Sequence, residues 1–180
     1  IINSAFSIRK TCGRFYPFMS NNQAKHILCV CTGNVCRSPM AEKLLAHALD
    51  AEKDLRDKIT VISAGVAAYP GDPASGNAVT ALQKVGLSLD KHRSRPVNPE
   101  LLENAVLVLC MTESHRQFLL AQYDDIKAPV LLIRELIPDN DEPEVPDPYG
   151  SSLSSYEACR DSIVEAIPSV IKFLKKQPLT

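Results

Sequence analysis

Four short, strongly apolar runs alternate with segments of helical periodicity along the 180-residue chain. Runs this short and apolar read as strands covered on both faces. They are His26 to Cys31, Ile59 to Ile62 continuing into Ser63-Ala64-Gly65, Ala105 to Met111, and Val130 to Ile133. Between the first two, Met40, Leu44, Leu45 and Ala48 recur at helical spacing behind Ser38-Pro39, which predicts an N-cap and a first-position proline. Ala78, Leu82 and Val85 mark a second helix that Gly86 stops, and Asn98-Pro99 opens a short turn around Leu101 and Leu102. Thr112 is expected to cap a helix bearing Phe118, Leu119 and Tyr123. Ser154 with Glu157 predicts a capping box for the last helix, which presents Cys159, Ile163, Ile167, Val170 and Leu174 on one face. Pro168 is expected to kink or interrupt that helix. The alternation predicts an α/β fold, a single doubly wound four-stranded parallel sheet with helices on both faces. Ligands of such folds sit beyond the carboxyl ends of the strands, where the strand order reverses. A site is therefore expected just after Cys31, Gly65 and Met111.

Residues 1–24 fall outside this pattern. They carry Arg9, Lys10 and Arg14, no acid and no period, and read either as a transit-peptide remnant or as a disordered leader, with Met19 as an alternative start. Residues 25–180 are read as one domain. A cytoplasmic setting is expected, with organellar targeting by the leader as the other reading.

The charge balance excludes several classes. Twenty Lys and Arg against 21 Asp and Glu give a net charge of −1, without the basic excess of a nucleic-acid binder. No apolar stretch approaches the roughly 18–20 residues that span a bilayer, so no membrane role is expected. The average conceals local polarity: residues 1–41 hold five bases and no acid, while 139–147 hold five acids and no base.

Six cysteines need an explanation: Cys12, Cys29, Cys31, Cys36, Cys110 and Cys159. Cys29 and Cys110 lie in apolar strands and Cys159 on an amphipathic helix, so these three read as buried free thiols that pack like small hydrophobes. With no secretory signal ahead of them, a reducing compartment is expected. Cys29, Cys31 and Cys36 have no Cys-x-x-Cys or His partner set elsewhere, so no metal or other cofactor is expected.

The segment Cys31-Thr32-Gly33-Asn34-Val35-Cys36-Arg37-Ser38 joins the first strand to the first helix. Gly33 and Asn34 readily take positive φ, which lets such a loop curl its backbone N–H groups inward as an anion nest. The helix N-terminus adds to the same point, and Arg37 offers a planar fork to two phosphate oxygens. Cys31 then lies at the floor of an electropositive cup that favours the nucleophilic thiolate, with the Ser38 hydroxyl as a donor to it. The same Cys-x₅-Arg spacing recurs at Cys110 and Arg116, but there no Gly or Asn forms a nest and Glu113 would repel an anion.

The run Val30-Cys-Thr-Gly-Asn-Val-Cys-Arg-Ser-Pro-Met-Ala-Glu42 resembles the low-molecular-weight protein tyrosine phosphatases, including bacterial members and the related protein-arginine phosphatases. Ser63-Ala64-Gly65, Asp90-Lys-His-Arg-Ser-Arg95 and Asp147-Pro-Tyr-Gly150 agree in order, so that the resemblance runs from about Lys25 to Lys176. It implies Cys31 as nucleophile, Arg37 as phosphate clamp and Asp147 as the acid that protonates the leaving oxygen. It further implies Thr32, Gly33, Asn34, Val35, Cys36 and Ser38 as the phosphate-binding loop, and Cys36 as a partner that protects Cys31 by a reversible disulfide. His92 and Ser63 are implied as supports of Asn34 rather than as acid or base, and Val35 and Tyr149 as the wall for a substrate ring. His26, His47 and His115 read as solvated or capping residues.

In the family that the chain resembles, an aliphatic residue at the place of Val35 goes with aryl phosphates and a threonine with phosphoarginine. The resemblance thus implies phosphotyrosine in proteins and small aryl phosphates as substrates, hydrolysed through a phosphocysteine. Gly150, where animal members have a second aromatic, keeps phosphoarginine open. Phosphorylated proteins are the implied partners, with inorganic phosphate or other oxyanions as product or inhibitor. A thiol-dependent arsenate reductase and a non-catalytic phosphoprotein-binding module are the remaining readings. The first needs further redox cysteines near the site on a mobile segment, for which only Cys110 and Cys159 are available and both read as buried, and the second has no use for a nucleophile.

Overall fold

A computed structural model of the protein describes residues 25–177. The expectations for the leader, including Cys12 and Met19, lie outside the described residues. Four strands, β1 (His26–Cys31), β2 (Thr60–Gly65), β3 (Ala105–Cys110) and β4 (Val130–Leu132), form one sheet of order β2-β1-β3-β4. Every pairing is parallel. The intervening helices are α1 (Arg37–Asp50), α2 (Gly76–Gln83), α3 (Pro99–Glu103), α4 (Glu113–Gln122) and α5 (Leu153–Leu174).

The sheet is buried on both faces because its strands alternate between two cores. Ile27, Cys29 and Cys31 of β1 face a core built with α1, α2 and α5, including Met40, Leu45, Leu82 and Ile163. Leu28 and Val30 face the opposite core, with Leu102 of α3 and Leu119 of α4. The doubly wound architecture is thus as the sequence predicts. The chain leaves β1 toward β2 on one side and later returns to place β3 on the other, so the strand order reverses beside β1. The crevice of such a sheet lies at that reversal, which puts the loop after Cys31 at its centre.

Several local expectations are corrected. Helix α1 begins at Arg37 with Cys36 in the N-cap position, and no side chain caps it. Ser38 is thereby inside the first turn with its hydroxyl turned to the cup, and Pro39 is the third helical residue. Val85 falls beyond the end of α2 and is exposed. Ser152, not Ser154, occupies the N-cap of α5; its hydroxyl bonds those of Ser154 and Ser155 rather than a backbone N–H, and the Ser154–Glu157 box does not form. Pro168 does not interrupt α5. It lies on the exposed side, where water can satisfy the Val164 carbonyl that the missing N–H leaves free.

Candidate active site

The loop between β1 and α1 curls through a single left-handed residue, Asn34, at φ 55°. Gly33 does not take positive φ, and a Cβ there would meet only Val35 Cγ2 at 3.7 Å. The demand for a glycine falls instead on Gly65 at the end of β2. A Cβ at Gly65 would lie 2.4 Å from the Thr32 carbonyl oxygen and 2.9 Å from the Asn34 nitrogen. The loop packs directly on that bare backbone. With no capping side chain at α1, the backbone N–H groups of Val35, Cys36 and Arg37 have no acceptor among the described residues. They remain available to an anion.

Asn34 also anchors the loop through its side chain. Its Nδ2 donates to Ser38 Oγ and to Ser63 Oγ, both at 2.9 Å, and its Oδ1 accepts from the Arg95 backbone nitrogen at 3.0 Å. His92 Nε2 donates to the Asn34 carbonyl at 2.7 Å. Burial lowers the His92 pKa, as suits a neutral structural donor. His92 and Ser63 thus both hydrogen-bond Asn34. Because Asn34 spends both amide hydrogens on the two serines, each hydroxyl sends its own proton onward. Ser63 donates to Glu42 Oε2 at 2.6 Å, and Ser38 Oγ lies 3.0 Å from Cys31 Sγ and 3.3 Å from the Ala64 carbonyl oxygen, the two acceptors within its reach. Glu42, on α1, is a support that sequence reasoning missed, although it stands inside the quoted motif.

Cys31, Thr32, Gly33, Val35, Cys36 and Arg37 line a cleft of about 300 Å³ together with Asp147 and Tyr149. Arg37 is buried at the start of α1. Its Nη1 donates to the Val145 carbonyl at 3.3 Å and its Nη2 to Asp147 Oδ2 at 2.5 Å, while Nε is buried with no partner among the described residues. An orphaned guanidinium N–H beside free backbone N–H groups is the signature of an oxyanion site. The Asp147 segment is tied to the sheet by Val145 N donating to the Met111 carbonyl at 2.8 Å, and by Glu144 accepting from the Glu113 backbone nitrogen at 2.7 Å. Asp147 Oδ1 in turn accepts from Tyr149 N at 3.2 Å, a local turn that presents Tyr149 at the mouth.

Tyr69, Asp72 and Ala67 line the cleft as well, and none was expected. Tyr69 is 76% exposed and Tyr149 72%, so both rings stand free at the rim. The second exposed ring at the mouth therefore comes from the loop after β2. An aromatic beside Pro70-Gly71, just past a strand's carboxyl end, was the available signal. Cys36 Sγ contacts Ser75 Oγ and Tyr156 hydroxyl, each at 3.3 Å, and burial raises its pKa. Tyr156, on α5, is a further missed contact of the site.

The second Cys-x₅-Arg spacing has no such setting. Cys110 faces the core opposite Cys31, and burial pushes its thiol up to about 12. Arg116 is neutralised by Glu113 and by Glu135 at 2.7 Å. A wider groove of about 750 Å³ opens on the far side of Asp147, between Glu142 and α5. Cys159 at its floor is likewise pushed up to about 12 by burial. The five cysteines among the described residues are free thiols.

Two histidines depart from expectation. His26 is buried, and its Nε2 donates to the Leu101 carbonyl at 2.8 Å. His115 caps α4 through Thr112 but is buried rather than solvated, and reaches the loop itself, 2.9 Å from Thr32 Oγ1.

Residues 26–179 match the family model of low molecular weight phosphotyrosine protein phosphatases. The chain is 39% identical over 150 residues to a protein-arginine-phosphatase of Bacillus subtilis, covering 83% of this chain and 97% of that protein. It is 32% identical over 139 residues to the low molecular weight protein-tyrosine-phosphatase Etp of Escherichia coli, covering 77% and 87%. Among solved structures, a YwlE arginine phosphatase variant with a phosphorylated active-site serine superposes with a TM-score of 0.76 at 37% identity, covering 86% of this chain and 99% of that one. Motif, sheet order and matched length agree, and the chain belongs to the low molecular weight phosphotyrosine protein phosphatase family.

Proposed function

We propose that the chain hydrolyses phosphotyrosine in proteins, and small aryl phosphates, through a phosphocysteine on Cys31. One observation carries the reading: Cys31, Arg37 and Asp147 meet in a single cleft, with an orphaned Arg37 Nε and free backbone N–H groups beside the thiol. In the first step the Cys31 thiolate, stabilised by the Ser38 hydroxyl, attacks phosphorus in line while the P–O bond to the leaving group breaks. Arg37 and the loop from Thr32 to Ser38 hold the equatorial oxygens, and Asp147 gives its proton to the leaving phenolate. In the second step water attacks the phosphocysteine, loses a proton to Asp147 and releases inorganic phosphate with the Cys31 thiolate. The family neighbour bearing a phosphorylated active-site serine supports phosphoryl transfer to the nucleophile's position.

Val35 with the rings of Tyr69 and Tyr149 suits a flat aryl group, which favours phosphotyrosine. Asp72 favours a second reading. Its exposed carboxylate lines the cleft with no side-chain partner among the described residues, which suits a guanidinium, and the Bacillus subtilis relative is named a protein-arginine-phosphatase. Cys110 and Cys159, which an arsenate reductase would draw on, are both buried. Cys36 lines the same cleft as Cys31 and is the partner we assign for a reversible protective disulfide, in a reducing, cytoplasmic setting that returns it to the thiol. Phosphotyrosine and phosphoarginine peptides of the same sequence, compared side by side, test the assignment. A higher kcat/KM on phosphotyrosine is expected, and turnover of phosphoarginine alone would overturn it.

A further inference from the structure

His115 lies on α4 and its ring is 3% exposed. Two contacts fix its tautomer. Nδ1 lies 2.8 Å from Thr112 Oγ1, which can donate or accept, and 3.1 Å from the Thr112 backbone nitrogen, whose N–H can only donate; the backbone N–H decides, so Nδ1 accepts and carries no proton. Nε2 therefore holds the ring's proton and donates it to Thr32 Oγ1 at 2.9 Å. Arg37 Nη2 approaches the same oxygen at 3.5 Å. A hydroxyl has two acceptor sites and one proton. With both acceptor sites of Thr32 met by donors, its proton is left for a third group. Thr32 lines the cleft beside Cys31, Arg37 and Asp147, so that group is an acceptor held there.

We propose that His115 is a positioning residue for phosphoryl transfer: its Nε2–H···Oγ1 bond turns the Thr32 hydroxyl proton toward a phosphoryl oxygen in the cleft. The loop then presents a side-chain donor besides its backbone N–H groups and Arg37. The inference rests on the phosphatase reading of the cleft. Burial and the nearby Arg37 lower the His115 pKa to about 4, so the ring stays neutral and its tautomer is constant at any higher pH.

The test uses p-nitrophenyl phosphate hydrolysis, inhibition by inorganic phosphate, and three variants. Thr32→Val removes the hydroxyl at nearly constant shape. His115→Asn keeps an acceptor for the Thr112 N–H but is too short to reach Thr32, whereas His115→Gln reaches it with an amide N–H. Loss of one donor to a charged group predicts that Thr32→Val and His115→Asn each lower kcat about tenfold and weaken phosphate inhibition, with smaller changes in KM. The double variant is no slower than Thr32→Val, and His115→Gln recovers most of the loss. Multiplicative effects in the double variant, full kcat in His115→Asn, or no recovery with Gln would each overturn the proposal. A spectroscopic readout keeps it decidable if His115→Asn does not fold. The ¹⁵N shifts of His115 must report the Nε2–H tautomer, and phosphate must perturb them in the wild type but not in Thr32→Val. An Nδ1–H tautomer or an equal response in both overturns it. Wild-type protein inactive on every phosphomonoester would instead refute the phosphatase reading.

Discussion

Arg37 Nη2 donates to Asp147 Oδ2 at 2.5 Å, joining a guanidinium whose side chain is 5% exposed to a carboxylate that is 49% exposed. The pair couples the two ends of the proposed chemistry. In the proposed chemistry, a phosphoryl group that takes the Nη2 donor would free Oδ2 to take up a proton and face the leaving oxygen. The buried partner is fixed by Val145 and by α1, and the exposed one is held by a loop tied to β3 and α4.

The role of Asp147 is read by leaving-group dependence. Asp147→Asn is expected to lower kcat by about a hundredfold or more on phenyl phosphate, where the leaving oxygen needs a proton. On p-nitrophenyl phosphate, whose leaving group departs as a stable anion, the loss should stay below about tenfold. Equal losses on both would remove Asp147 from the acid role.

Arg37→Lys tests the fork geometry. A lysine keeps the charge but offers no Nε beside two Nη donors, so a loss of about a hundredfold in kcat and weaker phosphate inhibition are expected. Wild-type inhibition by phosphate in this variant would argue against Arg37 as the clamp.

The loop's shape depends on Asn34 within it and on Gly65 beneath it. Asn34→Ala removes three side-chain hydrogen bonds and leaves a non-glycine residue at φ 55° without its local partners. At about 1 kcal/mol per bond, a loss of about 3 kcal/mol in urea denaturation is expected, together with most of the activity. Gly65→Ala drives a Cβ into the Thr32 carbonyl, backbone against backbone. A cost of about 1–3 kcal/mol and displacement of the loop should follow, whereas Gly33→Ala should be well tolerated in stability.

Acid stability reports on His115. Its ordinary pKa of 6.5 falls to about 4 in the folded protein, chiefly through burial and then Arg37, with Asp147 and Glu144 opposing. Between these values the unfolded chain binds more protons than the folded one, so stability falls as pH drops through that window. The loss from this residue is on the order of 3 kcal/mol and is complete below the folded pKa. His115→Asn should flatten that part of a stability–pH curve measured by urea denaturation, and an unchanged curve would contradict the assignment.

What the sequence reveals and what it conceals follow from the range of the interactions. The strands were legible because their runs are short and mostly apolar, and the anion loop because its residues are contiguous from Cys31 to Ser38. Helix starts were less legible: whether Ser38 or Cys36 is the N-cap depends on a curl that leaves Ser38 facing the thiol. His115 could be read only as far as its local partner Thr112, since its other contact is 83 residues away. Tyr156 likewise joins the site through the fold rather than through any local pattern, whereas Tyr69 carried a local signal beside Pro70-Gly71 at the end of a strand.

Cys31→Ser with p-nitrophenyl phosphate is the most direct measure of whether Cys31 is the nucleophile. A folded variant is expected to release no phosphate above background, while Cys110→Ser, at the second Cys-x₅-Arg spacing, still turns over. Continued phosphate release by Cys31→Ser would remove Cys31 from that role.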